Sequence, residues 1–137
     1  MAGLEIMKFE DLHIEMAKTY PRLFPKGPLY WGFEHGPGWG PLIRTLCADI
    51  NTLISDYPDV EIAVVQVKEK FGALRFYCQL AENCPEDLRL KIRALIDAAS
   101  AESLKTCETC AKPSGLDKSR AYIVTRCPEC RAKAEQA

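Results

Sequence analysis

The sequence predicts an α+β fold: about three helices with a β-hairpin or small antiparallel sheet, followed by a small C-terminal module. Three observations predict it. Apolar side chains recur at spacings of three and four in three separate stretches. Two runs suited to strand conformation bracket Phe71-Gly72. The final residues, 107–137, carry two Cys-x2-Cys pairs.

The first helix is expected over residues 9–18, where Phe9, Leu12, His13 and Met16 form one stripe. Tyr20-Pro21 ends it, because the residue before a proline is pushed out of the helical region. Residues 21–40 hold five glycines and four prolines among Phe24, Tyr30, Trp31, Phe33 and Trp39. Glycine and proline interrupt helix and sheet alike, so this is a loop, and its aromatics make it a packed one. A second helix opens at Pro41, whose missing N–H costs nothing in a first turn. Leu42, Ile43, Leu46, Cys47, Ile50, Leu53 and Ile54 give it a broad apolar face out to about Asp56, before Tyr57-Pro58-Asp59 stops it.

Residues 60–70 are rich in β-branched side chains, Phe71-Gly72 turns the chain, and residues 73–80 return. On the return strand Leu74, Phe76, Cys78 and Leu80 alternate with Ala73, Arg75, Tyr77 and Gln79, which gives the hairpin one core face. The third helix is expected from Pro85 to about Lys105, with Leu88, Ile92, Leu95, Ile96 and Ala99 on one side. It runs into Cys107 without a linker. The reading is therefore an α+β body over 1–106 with the module, 107–137, packed on or following the third helix.

Sixteen residues separate Cys107-x2-Cys110 from Cys127-x2-Cys130. Two residues between cysteines let both sulfurs converge in a tight knuckle, and two knuckles supply four thiolates at tetrahedral corners. The expected cofactor is one structural Zn2+ on Cys107, Cys110, Cys127 and Cys130. With residues 121–125 as a strand leading into the second knuckle, the module reads as zinc-ribbon-like. Four protein ligands leave no open position for hydrolytic chemistry. The competing readings are a pair of redox dithiols and an incidental cluster. Cys47 and Cys78 fall on apolar faces and read as small buried hydrophobes, and Cys84 as a free thiol in a loop.

The composition is that of an ordinary globular chain, with 47% apolar and 27% charged residues among 137. The formal net charge is −1, so no bulk attraction to nucleic acid or anionic membrane is expected. Residues 107–137 carry six Lys/Arg and four Asp/Glu, a formal +2. Four thiolates around a divalent ion add −2, so the loaded module is near neutral. Lys112, Lys118, Arg120 and Arg126 still offer a local basic patch. There is no apolar run long enough to span a membrane and no basic-then-apolar leader in residues 1–10. Seven cysteines then point to a reducing compartment, a cytoplasm.

Two histidines, no serine or cysteine in a nucleophile motif and no phosphate-cradling glycine loop argue against an enzyme, and no catalytic residues are assigned. His13 reads as a half-buried helix residue. Two groups of residues are candidates for partner binding. In the first, Trp31, Phe33, Glu34, His35 and Trp39 lie among glycines that would let a ligand approach the backbone. The alternative is that these aromatics plug the core beside the second helix. In the second, Lys68, Lys70 and Arg75 sit near the hairpin tip, as a patch for phosphate or an acidic protein surface, or as a solvated edge that discourages strand pairing.

Val67-Lys-Glu-Lys-Phe-Gly-Ala-Leu-Arg-Phe-Tyr77 resembles a segment of a family of small uncharacterised bacteriophage and prophage proteins. That family also shows a Gly-Trp loop before a helix, here Gly38-Trp39, and paired C-terminal Cys-x2-Cys knuckles. The resemblance spans roughly residues 20–130. This chain departs from it at Ala111, where a glycine often follows the first knuckle, and at Pro37, where a polar residue is commoner. The resemblance implies a phage or prophage product acting in a bacterial cytoplasm, and it carries no catalytic residues with it. Two functions follow as expectations. One is binding to a host protein, for example to inhibit a defence system such as CRISPR–Cas. The other is nucleic-acid binding through the zinc module and the hairpin cations.

Overall fold

The computed structural model describes residues 11–119 and 121–136. Phe9 and Arg120, named above, lie outside the described residues. The elements in order are α1 (Leu12–Thr19), a 3-10 turn (Pro37–Trp39), α2 (Gly40–Ile54), β1 (Ile62–Lys70), β2 (Ala73–Leu80), α3 (Glu86–Ser103), β3 (Leu116–Asp117), β4 (Val124–Thr125) and α4 (Pro128–Gln136). The architecture is α+β. It has four α-helices among the described residues where about three were expected. The extra one, α4, grows directly from the second knuckle.

Both proline signals act one residue away from the expected place. The 3-10 turn feeds straight into α2, so Gly40 rather than Pro41 is its first residue. Pro85 stands just outside α3 in extended conformation, with φ −58° and ψ 146°. At the C-terminal end of α2 and just beyond it, the Arg22 guanidinium donates to the carbonyls of Ile54, Tyr57 and Val60 at 2.7–2.8 Å. These carbonyls have no partner within a helix, and a cation there also suits the helix dipole.

β1 and β2 pair antiparallel around Phe71-Gly72. Phe71 has φ 54° and Gly72 φ 82°. Two consecutive positive φ values make a type I′ turn, whose twist matches the strands it joins. The register shifts between Val64 and Gln66. That bulge resolves an irregularity of the sequence, because the apolar residues of β1 are spaced two and then three apart. Ile62, Val64 and Val67 all reach the core, while Val65 is turned out. On β2 Leu74 and Phe76 are buried, and Cys78 and Leu80 pack at the margin.

The core joins this face to Ile43, Leu46, Cys47, Ile50 and Ile54 of α2, Leu88 and Ile92 of α3, and Leu12 and Met16 of α1. Ser103, at the end of α3, is fully buried. Its hydroxyl accepts the Leu74 N–H at 2.9 Å and donates to the Ser100 carbonyl at 2.5 Å. No described helix is long and apolar enough to cross a membrane.

Candidate metal centre

Cys107, Cys110, Cys127 and Cys130 converge, with every Sγ within 4.8 Å of the others. The Cys110 and Cys127 sulfurs are 3.6 Å apart. A tetrahedral ion with metal–sulfur bonds of about 2.3 Å sets its sulfurs roughly 3.8 Å apart. The four cysteines could therefore hold one metal ion with little movement.

Each knuckle is a turn closed by its own backbone. The Ala111 N–H donates to the Cys107 carbonyl at 2.9 Å, the Cys107 N–H to the Lys112 carbonyl at 2.7 Å, and the Arg131 N–H to the Cys127 carbonyl at 2.9 Å. Burial pushes the Cys107 thiol up, but the N–H groups of Cys127, Cys110 and Thr109 outweigh it and bring Cys107 down to about 6. The neighbouring Cys127 thiol, followed by burial, drives Cys130 up to about 12. Four crowded thiols thus hold some protons against one another, and a cation among them removes that conflict.

The first knuckle is also where the glycine-rich loop lands. The Gly38 N–H donates to the Glu108 carbonyl at 2.6 Å. The Gly36 N–H donates to the Glu108 carboxylate at 2.7 Å. The Trp39 indole N–H donates to the Thr106 carbonyl at 2.9 Å. A methyl group on Gly38 would overlap the Cys107 carbonyl, so only glycine lets the loop come this close. The hairpin tip reaches the same module. The Thr125 hydroxyl donates to the Gly72 carbonyl at 2.6 Å, and the Glu108 N–H to the Thr125 carbonyl at 2.8 Å. The cysteine cluster, the loop and the hairpin tip therefore form one continuous hydrogen-bonded structure.

The structure separates the aromatic candidates. Trp39 is fully buried and His35 is buried beside it. The His35 ring stacks on Phe33 at 5.9 Å, tilts against Trp39 at 5.8 Å, and donates from Nδ1 to the Gly36 carbonyl at 2.8 Å. Burial lowers the His35 pKa, against an opposing pull from that carbonyl. Trp31 points outward, 78% exposed, with Tyr30 packed edge to face against it at 4.7 Å. Glu34 is exposed, and its backbone pairs with β1, taking the Val67 carbonyl and the Glu69 N–H at 2.9 and 3.0 Å. Lys68 faces Arg75 across the hairpin with Lys70 two residues on, so the three cations share the face opposite the core.

No family profile, curated protein or solved structure matches the chain.

Two residues of this site had no signal in the sequence. Glu108 contacts a loop 72 residues away. Asp117 is buried, accepts from Ser119 and lies 3.3 Å from the Arg131 guanidinium. The expected strand over 121–125 shortens to Val124–Thr125 and pairs with Leu116–Asp117. The module is thus two knuckles, a two-residue ladder and a helix. Cys84, expected as a loop thiol, is buried. Cys47 and Cys78 are pushed up to about 12, chiefly by burial.

Proposed function

We propose that this chain is a zinc-stapled binding module of the phage or prophage type, not an enzyme, and that it docks on a host protein in a bacterial cytoplasm. The ion is one Zn2+ on Cys107, Cys110, Cys127 and Cys130, because four thiolates with tetrahedral spacing are the donor set that structural zinc takes. Its task is to hold the first knuckle as a platform for the Gly36–Trp39 segment.

The observation that carries the binding reading is the Tyr30–Trp31 pair. Tyr30 and Trp31 are 88% and 78% exposed, yet they pack on each other and sit just before a segment fixed to both β1 and the knuckle. Large aromatics presented on an anchored loop are the residues that dominate protein interfaces. Trp31 and Tyr30 are the expected anchors, and a host defence complex is one class of partner that this context suits. A tagged pull-down from bacterial lysate, with and without nuclease, tests the reading. A stoichiometric protein partner that survives nuclease and is lost with Trp31→Ala supports it. Loss of every partner on nuclease treatment removes it.

A second reading, nucleic-acid binding, is favoured by one contact. Gly72 lies against Leu116, Ile123 and Thr125. That contact brings Lys70 and the exposed Phe71 to the module that carries the exposed Tyr122. Aromatics flanked by cations suit stacked bases and phosphates. Binding of this kind weakens steeply with salt, and it is lost when Lys68, Lys70 and Arg75 are changed to alanine.

A further inference from the structure

We infer that the open edge of β2, with the groove between it and α3, takes up an acidic extended segment of a partner protein as an added strand. This rests on the protein-binding reading above and names a surface for it other than Tyr30–Trp31.

The two edges of the hairpin are treated differently. The outer edge of β1 is engaged by Leu23 and Glu34 at three backbone groups. Its Val64 N–H donates to the Leu23 carbonyl at 2.7 Å, its Val67 carbonyl accepts from Glu34, and its Glu69 N–H donates to Glu34. On β2 the type I′ turn makes Lys70 and Ala73 the first hydrogen-bonded pair, so Ala73, Arg75, Tyr77 and Gln79 bond to β1. The backbone groups of Leu74, Phe76, Cys78 and Leu80 then point away. The Leu74 N–H goes to Ser103, which confirms that parity. Among the described residues, no other group bonds to the outward N–H and C=O of Phe76 and Cys78. An edge with unpaired donors and acceptors is a template for a further strand.

The chemistry beside that edge selects the occupant. A groove of about 260 Å³ runs between β2 and α3, and its charged lining residues are Arg75, Arg89, Arg93 and Asp97. Three cations against one carboxylate favour acidic side chains. Arg89 is partly engaged, with Glu86 at 3.8 Å and the Ala81 carbonyl at 3.4 Å. The Arg75 Nε is shielded from solvent and has no hydrogen-bond partner among the described residues. Ile92, Ile96 and Phe76 floor the groove. An incoming strand of alternating apolar and acidic residues would lay its apolar set over this floor, beside Arg89 and Arg93 of α3, and turn its acidic set to the face that carries Arg75.

The test uses the full zinc-loaded chain and a synthetic peptide of about eight residues alternating valine and glutamate, against a valine–lysine counterpart. Amide exchange is read by NMR. The expected result is saturable binding of the glutamate peptide with slowed exchange at Phe76 and Cys78, and no binding of the lysine peptide. Arg75→Glu with Arg93→Glu should weaken the glutamate peptide about tenfold or more. Unchanged amide spectra show that the double variant is folded. Exchange at Phe76 and Cys78 unmoved by the peptide, or equal binding of both peptides, overturns the inference. The two readings fail separately. A host partner still captured by the double variant removes this groove and leaves the binding module standing. Peptide pairing at β2, with every lysate partner lost on nuclease treatment, leaves the groove and removes the host-protein reading.

Discussion

Among the described residues, two besides glycine adopt a left-handed backbone, and each marks a place where the chain accepts strain to close a turn. Ala111 has φ 72° directly after the first knuckle, and Phe71 has φ 54° in the hairpin turn. A side chain in that region costs roughly 1–2 kcal/mol. Ala111→Gly should therefore stabilise the zinc-loaded protein by about 0.5–1 kcal/mol, read as a higher chemical-denaturation midpoint at unchanged slope. Phe71→Asn should gain a similar amount, because Asn-Gly is the preferred pair in this turn. A lower midpoint for either would mean that contacts of the side chain outweigh the backbone strain.

His35 titrates at the same scale. Burial holds its folded-state pKa below the ordinary value near 6.5, so the folded protein keeps it neutral while the unfolded chain takes up a proton. Its contribution is complete above about pH 6.5 and is lost as pH falls through that value toward the folded-state pKa. Thiolate protonation also weakens metal binding in acid, so the difference between proteins isolates the histidine. The stability gap between wild type and His35→Gln should shrink between about pH 7 and pH 5. A gap independent of pH would sink this assignment.

At the scale of elements, three joints hold the layers. Arg22 caps α2, Ser103 ties α3 to β2, and Gly38 seats the loop on the knuckle. Ser103→Ala keeps the size but leaves the buried Leu74 N–H without its acceptor, which costs about 1–3 kcal/mol in a denaturant titration. Gly38→Ala should cost about as much or more, since a methyl group meets backbone that cannot swing aside. It should also release the Trp39 indole from Thr106, so the two effects are separable by fluorescence.

Across the whole molecule, an ion held by the four cysteines would act at a distance from them. The knuckle carries the carbonyls that receive Gly38 and Trp39, and Trp39 belongs to the core. Chelation of the zinc should therefore shift the emission of Trp39 to the red, seen cleanly in a Trp31→Phe background. One zinc per chain should restore it. Chelation that leaves Trp39 emission unchanged would show that the loop stands without the metal.

The sequence by itself determined the local elements and which four cysteines come together. Helical spacing marked α2 and α3, the Phe71-Gly72 pair marked the hairpin, and the spacing of four cysteines marked the centre, because each signal lies within a few residues or in a repeated short motif. The neighbours of Phe71 even allowed the two strand ranges to be read closely. The bulge at Val65, the helix α4 and the partners of Glu108 were not legible. Only the tertiary structure decided that Trp39 turns inward and Trp31 outward, since both are tryptophans among glycines and nothing local tells them apart. What separates them is the first knuckle, brought against Gly36 and Gly38 by contacts across about seventy residues of chain. Burial and hydrogen bonding between distant segments depend on where the folded backbone places them, and the local spacing of residues carries no record of that.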